Sequence, residues 1–370
     1  MKKLIPTLLA SVLLMSACSG VQTSGQETVK IGVIAPMTGD AAAYGQEMQH
    51  ILDYAVGQIN TAQVDSPYQF ELVYEDGQCG AAAATALQKL VDVDGVQFII
   101  GGACSSESLA IAPLLEEKGV VAVSALSSNP ELDGLSPNFL SLSYSDSGVG
   151  EGIAAQLSRY SKVAILGEQN DYNVGLHDTV LEALKAYPSV ELVADESVEK
   201  GATDFRNALQ KVKASGAEAV FFNTNPGVTT ETLVKQLAEL SDWEVAKVAI
   251  FDFMNEAYYD LAPEVFVDML VVDTPKVTST EFTAMMEAVT AANGTVEDLG
   301  SFYTASTYDA LTVLTKGILN EGSDPEMVLA DIRESSFTGY LGELTFGQGT
   351  FVQGIGTAVY AVKGGVWVQQ

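Results

Sequence analysis

Residues able to run covalent or metal chemistry are scarce in this sequence. Its two histidines, His50 and His177, have no histidine or cysteine at metal-ligand spacing, so zinc or non-haem iron would lack a ligand set. No G-x-S-x-G elbow occurs, and no Walker lysine follows a glycine-rich loop. The run Gly148-Val149-Gly150-Glu151-Gly152 misses dinucleotide spacing, because Ile153 stands where the third glycine belongs. Among 48 acidic residues close pairs arise by chance, and nothing marks one pair as a general acid and base. No enzymatic activity, metal or cofactor is therefore expected.

What the sequence does offer is binding chemistry. Three runs of small, hydroxylated or glycine-rich residues stand out: Ala35-Pro36-Met37-Thr38-Gly39, Gly101-Gly102-Ala103-Cys104-Ser105-Ser106, and Ser124-Ala125-Leu126-Ser127-Ser128-Asn129-Pro130. In such runs backbone N–H groups and hydroxyls can approach a small polar ligand, above all a carboxylate at a helix N-terminus. Ser105 or Ser106 reads equally well as a plain N-cap of the helix that follows.

The elements that would position these runs alternate in type. From Val29 onward, short β-branched stretches (Val29–Ile34, Phe70–Tyr74, Val96–Ile100, Val120–Val123, Val163–Leu166, Ala219–Asn223, Val248–Phe251, Met269–Val272) are mostly separated by helix-period segments. In the first of those segments Met48, Ile51, Leu52, Ala55 and Ile59 fall on one helical face. Strands separated by helices of this length call for α/β architecture with doubly wound parallel sheets, covered on both faces by right-handed crossovers. In such sheets ligands bind in the crevice beyond the carboxyl ends of the strands, where the three runs fall.

Length and charge narrow the partners. At 370 residues, 47% of them hydrophobic, the chain has room for two or three domains with real cores. Its 48 acidic against 18 basic side chains give a formal charge of −30. Nucleic acid is excluded as a partner, since binding phosphates needs clustered Lys and Arg. The acidity otherwise describes a hydrated, soluble surface.

The first eighteen residues are set apart. Lys2 and Lys3 precede an apolar run from Leu4 to Met15, then Ser16-Ala17-Cys18. The run is far shorter than the about 20 apolar residues of a membrane-spanning helix, so it reads as a secretory signal peptide over residues 1–18. The segment resembles a bacterial lipobox, with Met15 where leucine is preferred. That likeness implies that Cys18 becomes lipidated, the alternative being a plain signal peptide with Cys18 incidental. Small polar residues 19–28 then form a tether. Cys79 and Cys104 remain, and an exported compartment permits them to pair. Closing that loop would stabilise the fold by about 3 kcal/mol in the chain-entropy model.

Taken in order, several motifs resemble the type I periplasmic binding proteins, and within them the leucine/isoleucine/valine-binding proteins that serve ABC importers. They are Val29 to Gly39 with Tyr44-Gly45, Asp76-Gly77-Gln78-Cys79, Gly101 to Ser106, Ser127 to Leu132, Asp171-Tyr172, Tyr308-Asp309-Ala310 and Leu341 to Phe346. The resemblance implies two α/β lobes joined by a hinge of three segments, with crossings near Asp146, Pro275 to Lys276 and Phe346 to Gly347. One lobe would take residues 29–146 and 277–346, the other 147–276 and 347–370. It implies an amino acid, branched-chain or otherwise aliphatic, bound between the lobes of a monomer. The partners would be an ABC permease and ATPase, and the membrane would be met only through the lipid. An alternative is a sensor of the same fold for an amide, a urea-like compound or a small carboxylic acid.

Carried over by position, Ser105, backbone groups around Leu126, and Ser128 would hold the ligand's carboxylate. Ser128 stands where the family has threonine. Tyr44 and Tyr172 would cover the ligand from opposite lobes. The second lobe departs from the family pattern, offering Asn223 and Asp252 at strand ends where a tyrosine and a glutamate are expected. Asp252 is the candidate counter-charge for an ammonium, and it reads equally as a solvent-facing or helix-capping residue.

Overall fold

The computed structural model describes residues 26–39, 41–294 and 299–370. Cys18, the signal segment and most of the tether lie outside the described residues. Strand β1 (Glu27–Ala35) is followed by α1 (Ala42–Ala62), β2 (Tyr68–Asp76), α2 (Ala82–Asp92), β3 (Phe98–Ile100), α3 (Ser105–Lys118), β4 (Val121–Ser124) and β5 (Phe139–Ser141). Pairing of Glu27 with Tyr68 shows that the first strand begins inside the expected 19–28 tether. The chain continues through α4 (Asp146–Leu157), β6 (Lys162–Gln169), α5 (Asp171–Leu184), β7 (Glu191–Glu199), α6 (Arg206–Ala214) and β8 (Ala219–Asn223). Next come α7 (Val228–Ala238), β9 (Ala246–Ile250), α8 (Glu256–Leu261) and β10 (Met269–Asp273). Helices α9 (Thr280–Asn293), α10 (Gly300–Glu321) and α11 (Pro325–Glu334) precede a hairpin, β11 (Phe337–Gly339) and β12 (Gly342–Leu344), and strands β13 (Ala358–Lys363) and β14 (Val366–Gln369).

Two sheets organise these elements. The first has the order β2-β1-β3-β4-β5, all parallel. The second repeats that order as β7-β6-β8-β9-β10 and adds antiparallel β13 and β14 at one edge. Its central strands, such as Ala219–Asn223, are buried on both faces, as a sheet covered by helices requires. On α1 the buried face comprises Met48, Ile51, Leu52 and Ala55, the stripe that the sequence periodicity predicts.

The chain passes between the lobes at three places. Asp146 opens α4 after β5, and its backbone amide donates to the Ser128 carbonyl at 2.9 Å. Residues after β10 form the second passage, where the Tyr360 hydroxyl donates to the Thr274 carbonyl at 2.7 Å and accepts from the Lys276 amide at 3.0 Å. The third passage differs from the expected Phe346 to Gly347. Ser141 of β5 donates to the Thr350 carbonyl at 2.8 Å and accepts from the Val352 amide at 2.9 Å, so the chain leaves the first sheet only after Val352. A two-residue bridge of this kind is too short to show as an apolar run in the sequence.

Two motifs far apart in sequence meet at the hairpin. Both carboxylate oxygens of Asp309 accept backbone amides, from Tyr340 and from Leu341, each at 2.9 Å. Asp309 thus fastens β11–β12 onto α10. Cys79 and Cys104 are disulfide-bonded, with Cα atoms 5.2 Å apart. Among the described residues no helix is long and apolar enough to cross a membrane, and no group of three or more His, Cys, Asp or Glu could hold a metal ion.

Candidate ligand cleft

The carboxyl ends of β1, β3 and β4 in one lobe face those of β6, β8 and β9 in the other, and a cavity of about 400 Å³ lies between them. In an order of 2-1-3-4-5 the connections from the central strand run to opposite faces, which leaves a crevice at those strand ends. Both lobes have that order, so their crevices combine into one cleft. A space of this size suits a small organic ligand.

The first lobe contributes dipoles and hydroxyls. Helix α3 opens on Ser105, which lines the cavity, and the first amides of any helix have no acceptor within it. The Ser105 hydroxyl accepts from the Asn129 amide at 3.4 Å. Ser128, also lining, donates its one hydroxyl proton to Asp146 Oδ2 at 2.9 Å, which leaves its oxygen only as an acceptor toward a ligand. Leu126 lines the cavity with its amide turned to the Ser124 hydroxyl at 3.3 Å. Behind α3, Glu107 accepts from the Cys79 amide at 2.9 Å and the Cys104 amide at 3.1 Å. It thereby joins the disulfide loop to the helix start. Gly77 leaves room for that carboxylate, since a Cβ there would lie 2.3 Å from Glu107 Oε1. Burial pushes the Glu107 carboxyl up to about 7, against the pull of the amides of Cys104 and Cys79.

The second lobe contributes carboxylates. Glu168, at the end of β6, accepts from the Gly201 and Asn225 amides, each at 2.9 Å, so both its oxygens are occupied. Asp252 differs. It is buried, its Oδ1 accepts from the Tyr44 hydroxyl at 3.1 Å, and its Oδ2 has no hydrogen-bond partner. Burial pushes its carboxyl well above the usual range, partly offset by Tyr44. A buried carboxylate oxygen without a donor is costly, of the order of 1–3 kcal/mol or more. Asp252 lines the cavity, so an ammonium placed there would lie beside this carboxyl.

Of the residues singled out from sequence, Tyr44, Ser105, Leu126, Ser128, Tyr172 and Asp252 surround this one cavity. Asn223 does not line it. Its side chain accepts from Asn173 Nδ2 at 2.6 Å and donates to the Asn173 carbonyl at 2.7 Å, which uses the amide to fix α5 against β8. Asn225, two residues on and therefore beyond the strand end, lines the cavity instead. Sequence reasoning also passed over Phe251, Tyr303 and Lys200. Phe251 ends an expected strand and could have been found by the strand-end rule, whereas Tyr303 comes from a helix start with no motif of its own.

Among the described residues three side-chain hydrogen bonds join the lobes across the cleft. Tyr44 donates to Asp252, Asn129 Nδ2 donates to the Asp171 carbonyl at 2.8 Å, and Lys200 Nζ donates to the Cys79 carbonyl at 3.2 Å. The lobes are therefore in contact around the ligand space, a closed arrangement.

A family model described as periplasmic binding protein matches residues 28–365. The chain belongs to that family. Its members bind solutes and are not enzymes, in keeping with a cavity lined by hydroxyls, amides and the Asp252 carboxyl. Over 237 residues the chain is 31% identical to an amino acid binding protein of Pseudomonas aeruginosa, an alignment covering 61% of this chain and 62% of that one. The chain thus matches under two thirds of that relative's length. Over 328 residues, 86% of each protein, it is 26% identical to a leucine-, isoleucine-, valine-, threonine-, and alanine-binding protein of the same organism. Its fold is similar to that of an ABC transporter solute binding protein from R. palustris, solved in complex with 4-hydroxybenzoate. That match has a TM-score of 0.81 and 22% identity, and covers 93% of this chain and 96% of the other.

Proposed function

We propose that this periplasmic binding protein captures a small amino acid, branched-chain or otherwise aliphatic, and presents it to an ABC importer. The observation that carries this reading is the buried carboxyl of Asp252 in the wall of one cavity that the first turn of α3 lines from the other lobe. An α-amino acid brings one anion and one cation. Its carboxylate fits the α3 amides with the Ser105 hydroxyl, and its ammonium fits Asp252. Tyr44 and Tyr172 would close over it from either lobe. The names of the two Pseudomonas aeruginosa relatives support the same ligand class.

Capture would work by hinge closure about the three passages, because only a ligand touching both lobes favours the closed state. The lobes of this scheme are 29–146 with 277–352, and 147–276 with 353–370. The chain would act as a monomer, exported and held by lipid on Cys18 at the outer face of the cytoplasmic membrane or in the periplasm. A permease and ATPase would be its partners.

A second reading has its own support. The R. palustris neighbour is named in complex with an aromatic acid, and Tyr44, Tyr172 and Phe251 give this cavity aromatic walls. A receptor for a small carboxylic acid, an amide or a urea-like compound would use the same α3 cradle without engaging Asp252. A thermal-shift screen separates the two. Aliphatic amino acids should raise the melting temperature, since binding only the folded state stabilises it. A rise with carboxylic acids alone favours the second reading, and no rise with any of these classes rejects both.

A further inference from the structure

Beyond the Tyr44–Asp252 hydrogen bond the cleft continues into a second chamber of about 330 Å³. Asp252 borders both chambers, and on this side it is joined by Asp273 and by the aromatic residues Tyr44, Phe251, Tyr258, Phe302 and Tyr303. The rings stand at steep angles to one another. Phe251 and Tyr303 have centroids 5.0 Å apart at 56°, and Phe302 and Tyr303 are 5.2 Å apart at 82°. They form inclined walls instead of a stack.

Charge and hydrogen-bonding capacity point to one kind of occupant. Among the described residues two carboxyls, Asp252 and Asp273, line the chamber against one lysine, the exposed Lys276 on its rim. A cation is favoured. A primary ammonium entering the chamber would have to find acceptors for three N–H donors, whereas the lining is more apolar than polar and its acceptors, such as Asp273 and Thr274, are interspersed with rings. An alkylated ammonium has no N–H or few, sheds its water readily and is attracted to ring faces. The Asp252 carboxyl then lies beside a diffuse positive charge that needs no directional bond.

We propose that this chamber is a second binding subsite, for an alkylated ammonium group, walled by Tyr44, Phe251 and Tyr303 and neutralised by Asp252 and Asp273. It goes beyond the amino-acid reading, and Tyr44, Phe251, Asp252 and Tyr303 stand between the two chambers and line both.

The test uses the full folded chain with choline chloride and its neutral isostere 3,3-dimethyl-1-butanol at fixed ionic strength, followed by calorimetric titration and melting temperature. Choline should bind and raise the melting temperature, and the isostere should not. Asp273→Asn should weaken choline about tenfold, as should Tyr303→Leu, while Tyr303→Phe retains binding because it keeps the ring face. Should Tyr303→Leu fail to fold, Asp273→Asn alone decides. Equal binding of choline and the isostere, no binding of choline, or an unchanged affinity in Asp273→Asn overturns the proposal. An amino-acid screen on the same preparation keeps the two readings apart. A shift with amino acids but none with choline rejects the second subsite and leaves the proposed function standing, and the converse pattern does the reverse.

Discussion

Among the individual side chains, buried carboxyls do most to shape the cleft, each in a different way. Glu168 is satisfied by two amides, Asp252 is half satisfied, and Glu107 braces the disulfide loop while burial holds its carboxyl near 7. Glu107 gives a stability prediction. Its folded-state value exceeds the unfolded value near 4.5, so between those two values the native state binds the extra proton. Stability from this group is therefore greatest at or below about pH 4.5 and falls as pH rises towards 7. Relative to Glu107→Gln, which stays neutral, the wild type should lose up to ~3 kcal/mol across that window, measured by urea unfolding at both ends. Identical slopes in the two proteins would contradict this. At this scale the sequence was readable where a strand-end rule applied, as for Ser105 and Asp252. It misled at Asn223, because a two-residue difference at a strand end separates a packing amide from a cavity wall, and composition carries no such phase.

Between elements, closure rests on contacts such as that of α5 with the loop after β4. A Cβ at Gly175 would lie 2.5 Å from Asn129 Nδ2, the atom that donates to the Asp171 carbonyl. Gly175→Ala should therefore displace Asn129 and weaken the closed state by about 1 kcal/mol, the net worth of one such bond. Apparent ligand affinity should then drop about fivefold with little change in melting temperature of the ligand-free protein. An unaltered affinity would show that this contact does not contribute to closure. Elements with strong apolar runs, β1, β4, β6, β8, β9 and β10, were legible in the sequence, and so was the face of α1. The edge strand β7 was not, because its residues ELVADESVE are largely exposed or half-buried and acidic, and an edge strand has no need of a continuous apolar run. Tyr303 of the cleft was hidden for a different reason: α10 reaches it from a segment remote in sequence from the other cleft residues.

On the scale of the whole molecule, two sheets of the same strand order present their ligand-binding ends to each other. The formal charge of −30 is spread over solvated faces, whereas the proposed recognition depends on a few groups at the interface of the lobes. In the proposed complex one lobe holds the ligand's carboxylate and Asp252 of the other holds its ammonium. Calorimetric titration of wild type and Asp252→Asn with an amino acid and its desamino analogue tests it directly, leucine and 4-methylpentanoate being the first pair. The wild type should prefer leucine. In the variant, leucine binding should weaken by roughly 2 kcal/mol or more, about thirtyfold, and the preference over 4-methylpentanoate should collapse. If Asp252→Asn binds leucine as tightly as the wild type and with the same preference, Asp252 does not hold the ammonium and the account is wrong.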